Sequence, residues 1–370
     1  MDVERRAWLT LALTPGLGPV GLLKLIAAFG SANAAAGARR AQLAPHIGEA
    51  AAAALMAGEA NAAVEAAEAW LAATPGAFLL TLLDADYPAE LAETHGPPPL
   101  LFGRGRRELL GCAKLAVVGS RNATPQGLDN ARVFARELAK AGYTIVSGLA
   151  AGIDAAAHEG ALAAPASTIA VIGTGIDRIY PARNRELGLK LAEAGLILSE
   201  FPLGAGALAH HFPRRNRVIA GLARGCLVVE ASVDSGSLIT ARLAAENGRE
   251  VLAIPGSIHN PLARGCHRLI KDGAKLVETV DDVLAEVGRP ARSAPPPREA
   301  IDAAPAREDA PQPAGAGCAL LAAMGYDPVD VDTLTDRLKL TAGEVYAMLL
   351  ELELEGRVAG LPGGRFQRLS

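Results

Sequence analysis

Two hydrophobic rhythms run along the chain, and the changes between them divide it. In residues 113–287 short apolar runs recur at 115–119, 144–147, 169–172, 196–199, 227–229 and 250–254. Between them, stretches such as 127–141, 183–194 and 239–247 bring an apolar residue back every three or four positions. An unbroken apolar run of this length suits a strand buried on both faces, and the intervening period suits an amphipathic helix. Strand and helix in alternation predict an α/β fold around a parallel sheet. Several runs end in Gly or Ser followed by small polar residues, which gathers loops 119–121, 147–154, 173–177 and 234–237 at the carboxyl edge of that sheet. Open α/β sheets bind their ligands at this edge.

The flanks read differently. Residues 1–112 are alanine-rich and mostly helical in pattern, and are assigned to a helical N-terminal domain. Residues 288–316 hold Pro290, Pro295, Pro296, Pro297, Pro305, Pro311 and Pro313, the chemistry of a linker. Residues 317–370 return to helical periodicity at 320–324, 332–338 and 341–355, and 357–366 then reads as a β-hairpin. Three helices and a hairpin predict a winged helix. Its third helix carries Glu344, Glu351, Glu353 and Glu355 and neither Lys nor Arg, so it would repel duplex DNA instead of entering the major groove. A protein-contact or accessory role is expected for it.

Composition narrows the class. The chain has 370 residues, 50% hydrophobic and 21% charged, enough to build more than one core. The apolar stretch 8–23 is interrupted by Pro15, Gly16, Gly18 and Pro19, and its flank lacks the basic bias of a signal peptide. Nothing approaches the ~20 apolar residues of a membrane span. A cytoplasmic protein is expected, with Cys112, Cys226, Cys266 and Cys318 as reduced core thiols, since no CxxC or Cys/His cluster occurs. The net charge of −4 argues against a broad nucleic-acid-binding surface, and 4% aromatic residues leave little for stacking. Resolved by region, however, the charge is −3 for 1–112, +2 for 113–287 and −3 for 288–370. Only the α/β region is positive.

The candidate chemistry lies in its loops. Gly119, Ser120 and Arg121 follow the first run, where backbone N–H groups at a helix start and an arginine fork suit a phosphate. Phe212-Pro213-Arg214-Arg215-Asn216-Arg217 opens an apolar segment with three cations, and cations oppose the dipole of a helix N-terminus. Either an external anion or internal acids (Glu200, Glu230, Asp234) must answer them. Ser235, Gly236 and Ser237 form another small-residue helix start. His210 and His211 lack a third ligand, so no metal is expected. Asp154 reads as an N-cap, and Asp177 with Tyr180-Pro181 as a structural turn. No Ser/His/Asp order or pair of carboxylates marks a catalytic site. Gly16-Leu17-Gly18-Pro19-Val20-Gly21 matches a dinucleotide fingerprint on paper, but no acid occurs between Glu4 and Glu49 to hold a ribose. The stretch suits a helix-hairpin-helix turn better, and no nicotinamide, flavin or other cofactor is expected.

Taken in order, Val118-Gly119-Ser120-Arg121, the loop Ser147 to Asp154, Gly173-Thr174-Gly175-Ile176-Asp177 with Tyr180-Pro181 and Asn184, the Phe212 to Arg217 cluster, Ser235-Gly236-Ser237-Leu238-Ile239-Thr240-Ala241 and Pro255-Gly256 resemble the DprA/Smf family, DNA-processing protein A. The resemblance implies an extended Rossmann-like domain that binds single-stranded DNA, flanked by a helix-hairpin-helix or SAM-like helical domain and a C-terminal winged helix. It also implies a homodimer formed through the Rossmann-like domain. The implied role is to protect incoming strands in natural transformation and to load the RecA recombinase onto them. By the same resemblance Arg121, Arg214, Arg215 and Arg217 hold phosphates, with Asn216 among them and Phe212 near the bases. Some relatives carry a lysine just before the Phe212 motif, where this chain has Leu208, Ala209, His210 and His211.

Two other classes compete. Nucleotide phosphoribohydrolases of the lysine-decarboxylase-like group share such a sheet, but their PGGxGTxxE motif would fall near 235–241, where this chain has no acid. A winged-helix transcription regulator with a ligand-sensing α/β domain is the other.

Overall fold

The computed structural model describes residues 1–165, 167–290 and 316–369. Nine strands build the main sheet: β1 (Ala77–Thr81), β2 (Leu100–Gly105), β3 (Lys114–Val118), β4 (Thr144–Ser147), β5 (Thr168–Ile172), β6 (Leu196–Ser199), β7 (Gly225–Val228), β8 (Glu250–Ala253) and β9 (Lys275–Leu276). Their order is β1-β2-β6-β5-β4-β3-β7-β8-β9, parallel from β6 to β9. The antiparallel β1–β2 hairpin joins at the β6 edge. The six strands expected from the sequence all form, within one or two residues.

The hairpin was not expected. Residues 77–105 read as part of the helical region, and the structure places both strands in the sheet, so the α/β unit begins well before residue 113. The short runs Phe78-Leu79-Leu80 and Leu100-Leu101-Phe102 look alike whether helical or extended. Pairing with β6, far along the chain, decides between them.

The parallel strands are buried throughout at β3, β4, β5, β6 and β7, as a sheet covered on both faces requires. One face packs against the His211–Leu222 and Gly236–Glu246 helices through Val146, Val171, Ile219 and Ala241. The other packs against Pro125–Lys140 and Ile153–Leu162 through Leu115, Val117, Leu138 and Ala157. Helix Pro125–Lys140 shows why the sequence folds so locally. Thr124 caps it by accepting from the Gly127 N–H at 3.0 Å, Pro125 sits in its first turn, and Ala131, Phe134, Ala135 and Leu138 form its buried stripe.

The N-terminal helices Val3–Leu13 and Pro19–Phe29 meet across a turn in which Gly16 has a φ of 76°. Their core is continuous with the sheet, because Trp8, Leu9 and Leu25 belong to one apolar cluster with Leu79, Phe102, Ile172 and Ile197. At the other end of the chain, helices Ala316–Met324, Val331–Leu338 and Ala342–Leu354 pack with β10 (Val329–Asp330), β11 (Val358–Leu361) and β12 (Arg365–Arg368), ordered β10-β12-β11. This is the winged helix, with Leu320, Leu334 and Leu349 fully buried. Arg337 of this unit lies 3.3 Å from Asp129 on helix Pro125–Lys140.

Among the described residues no helix is long and apolar enough to cross a membrane. Cys112, Cys226 and Cys266 are buried free thiols, and burial pushes the thiols of Cys226 and Cys266 up to about 12. The side chain of Cys318 lies outside the described residues.

Candidate nucleic-acid interface

Loops from the carboxyl ends of β3, β4 and β5 surround a cleft of about 230 Å³. Arg121 and Asn122 come from the first loop, Gly148, Ala150 and Ala151 from the second, and Gly173 and Thr174 from the third. Tyr180, Pro181 and Arg183 close one side, and Phe212 and Arg215 enter from the first turns of His211–Leu222.

Two kinds of arginine meet here. Arg121 and Arg183 are exposed, and among the described residues neither has a carboxylate partner. The Arg121 guanidinium lies 5.1 Å from the centre of the Phe212 ring, and Tyr180 lies 6.2 Å from the same ring. Arg215 is different: it is 4% exposed, 3.8 Å from Asp154, and donates to the Val171 carbonyl at 3.3 Å. Burial pushes the Asp154 carboxyl up, against the pull of Arg215, and pushes the guanidinium of Arg215 down. The Nε of Arg215 is buried with no partner, in the floor of the cleft.

Arg214 and Arg217 turn away from the cleft to Glu200. Arg214 is 3.6 Å from its carboxylate, and Arg217 makes a close ion pair with it and donates to the Gly96 carbonyl. The three-arginine cluster therefore has internal carboxylates after all. Glu200 was among the acids expected; Asp154, which takes Arg215, was not. Glu230 instead fastens the β3 loop, accepting from the Thr124 N–H at 2.9 Å and its hydroxyl at 2.6 Å, while its carbonyl accepts from the Ser120 N–H at 2.7 Å.

The loop after β4 is built with unusual backbone. Leu149 has a φ of 57°, a left-handed conformation costly for a leucine, and Gly152 has a φ of 75°. Two buried side chains hold Leu149 there. Its N–H donates to Nε2 of His158 at 3.3 Å, and its carbonyl accepts from Nδ2 of Asn184 at 2.9 Å. Because Nε2 accepts, the imidazole proton is on Nδ1, facing the Thr168 hydroxyl at 2.7 Å, which in turn donates to the Ile145 carbonyl. Burial drives the His158 pKa down to about 3, so the ring stays neutral and keeps this direction of bonding. Gly148 is required for space: a Cβ there would lie 1.2 Å from Nη1 of Arg215.

Several expectations change in detail. Asp154 is not an N-cap; Gly152 takes that place, and Asp154 is buried in the first turn as the counter-ion of Arg215. Tyr180-Pro181 is more than a structural turn, since both residues line the cleft, whereas Asp177 does hold a turn by accepting from the Gly204 N–H at 2.9 Å. His211 is a buried helix residue stacked on Phe201 at 4.0 Å. Gly119 and Ser120 lie outside the cleft lining, and the Ser120 hydroxyl accepts from the Asn122 N–H at 3.1 Å. Ser235, Gly236 and Ser237 lie outside the cleft lining. Ser235 caps Gly236–Glu246, and Asn216 reaches the Gly236 carbonyl at 3.3 Å, joining the two helix starts. Arg183, His158 and Asn184 were not singled out as binding or positioning residues. Pro181 and Asn184 on either side of Arg183 were the available signal. Among the described residues no cluster of His, Cys, Asp and Glu could hold a metal.

A mostly parallel sheet with a cleft at its carboxyl edge lined by Arg121, Arg183 and Arg215, joined to a helical N-terminal unit and a winged helix, defines a mixed α/β protein of several units. The family model for the DNA recombination-mediator protein A matches residues 78–288, and that for the DprA winged helix domain matches 303–364. The chain belongs to the DprA/Smf family. It is 42% identical to protein Smf of Escherichia coli over 81% of this chain and 80% of that protein. It is 50% identical to the DNA processing protein DprA of Streptococcus pneumoniae over 56% of this chain and 73% of that protein. The solved structure of the latter covers 77% of this chain and 98% of its own, with a TM-score of 0.68 and 40% identity. A DNA processing protein A of Helicobacter pylori, described for its single-stranded DNA binding mode, covers 56% of this chain and 94% of its own at a TM-score of 0.52 and 31% identity.

Proposed function

We propose that this chain binds single-stranded DNA in the cleft, holding the strand mainly by its phosphates, and that it acts as a binding protein and not as an enzyme. The observation that carries this reading is the pair of exposed arginines, Arg121 and Arg183, without a carboxylate partner among the described residues and lining one cleft with Phe212 and Tyr180. A flexible single strand can lay a phosphate against each guanidinium fork while a base rests on the aromatic edge. The H. pylori relative's single-stranded DNA binding mode supports it.

In the same proposal two subunits pair through the α/β unit, which joins two weak sites into one of higher avidity. The paired protein works in the cytoplasm, protects strands taken up in natural transformation and delivers them to the RecA recombinase. The test of the site is a salt titration of the full chain with labelled single strands of differing sequence. Arg121→Ala is expected to weaken binding to all of them alike and to flatten the salt slope by about 0.7 for each phosphate no longer held. Unchanged affinity and slope would overturn the site. For delivery, RecA filament growth on strands pre-coated with a single-strand-binding protein is expected to speed up when this chain is added. No change would remove that part of the proposal.

A further inference from the structure

Among the described residues, the third helix of the winged helix, Ala342–Leu354, is packed on one side only. Val345, Leu349 and Leu352 turn into the core. On the outer side Tyr346, Leu350 and Leu354 are 52%, 59% and 83% exposed. Their spacing of four residues sets them in a row about 12 Å long at 1.5 Å per residue, with Ala347 exposed alongside. Carboxylates border this row on both flanks. Going round the helix at 3.6 residues per turn, Glu353 falls on one side of the row and Glu351 and Glu355 on the other. Neither Lys nor Arg occurs in the helix; just beyond it Arg357 lies 3.5 Å from Glu355, and Glu353 accepts from the Gly360 N–H at 3.0 Å, each with its other carboxylate oxygen still to offer. The Tyr346 ring meets Phe366 of the wing edge-on at 6.1 Å, which extends the apolar surface toward the hairpin.

An exposed apolar row rimmed mainly by carboxylates is a feature of an interaction surface. In DNA-binding winged helices this outer face enters the major groove, and here three carboxylates and three large apolar side chains occupy it. Duplex DNA is disfavoured by charge. A second copy of the same face is disfavoured for the same reason, since pairing would bring the two acidic rims together. The complementary occupant is an amphipathic helix with apolar residues at three- and four-residue spacing and lysine or arginine beside them.

We propose that the outer face of Ala342–Leu354 is a docking site for a basic amphipathic helix of a different protein. Tyr346, Leu350 and Leu354 take its apolar edge, and Glu351, Glu353 and Glu355 its cations. The inference is independent of the cleft at the sheet edge.

The test uses the full chain and two labelled peptides of about five helical turns with the same leucine spacing, one with lysines on its polar face and one with glutamates. Fluorescence anisotropy is expected to show the lysine peptide binding at least about tenfold more tightly. Leu350→Gln with Leu354→Gln is expected to weaken it by about tenfold or more, and Glu351→Gln with Glu355→Gln by several-fold, with melting temperatures unchanged because all four side chains are exposed. Lysine-peptide binding that ignores the leucine substitutions would reduce the effect to general charge attraction and overturn the proposal. So would a leucine variant that sediments as a smaller species, which would make this face a contact between copies. Loss of duplex binding in that variant would overturn it in favour of DNA reading.

Discussion

At the level of single residues, two arginines that line the same cleft have opposite physical situations. Arg121 spends its guanidinium on solvent and on the Phe212 ring, whereas Arg215 is enclosed with Asp154. Removing one partner of a buried pair leaves an uncompensated charge, at a cost of about 3–5 kcal/mol. Arg215→Ala is therefore expected to lower stability by that order in chemical denaturation, and adding Asp154→Asn should recover part of it. Arg121→Ala and Arg183→Ala should leave the unfolding midpoint within ~0.5 kcal/mol of the parent while weakening single-strand binding. A denaturation series on the same preparations separates the two roles. Equal stability in the Arg215→Ala and Arg121→Ala variants would contradict the buried pair. Gly148→Ala places a methyl group where Nη1 of Arg215 lies, so it should destabilise much as loss of the pair does. The sequence made Arg121 and Arg215 visible as candidates. It could not rank them, because burial depends on Asp154, which lies about sixty residues away along the chain.

Among the elements, the informative one is the β4 loop and its supports. A leucine at positive φ persists only where its surroundings fix it, and His158 and Asn184 do so from two different helical segments. Since the His158 pKa is about 3 in the fold and ~6.5 in an unfolded chain, the neutral ring is favoured by folding. Its contribution is whole above pH ~6.5 and is lost progressively as pH falls toward 3, because the unfolded state takes up the proton first. Between pH 6.5 and 5 the loss should be about 2 kcal/mol, and His158→Gln should show a smaller drop over the same range in urea denaturation. An identical pH dependence in both proteins would mean that His158 is not the titrating group. Helices and parallel strands were legible at this level because a buried strand and an amphipathic helix each leave a local period. The β1–β2 hairpin was not, since its two short apolar runs take meaning only from the edge of β6.

For the whole molecule, the net charge of −4 is a poor guide to binding, because it averages over units with different surfaces. The acidic winged helix and acidic N-terminal helices weaken general attraction to polyanions, so the proposed function requires affinity for a strand to arise in the cleft and from pairing subunits. The full chain is thus expected to bind a single strand with a shallow salt slope, roughly 0.7 per phosphate held, and to sediment as a dimer at concentrations where binding is tight. A slope as steep for duplex DNA as for single strands would point to diffuse charge instead of a local site. The sequence alone determined the α/β class, the parallel strands, the winged helix and the loops that converge on one edge, because these follow from periodicity and short-range turn chemistry. The tertiary structure alone decided which cations face the cleft, which are neutralised inside, and that Arg183 joins Arg121 there. Pairing and burial are set by residues distant in the chain, and no local pattern encodes the distance between them.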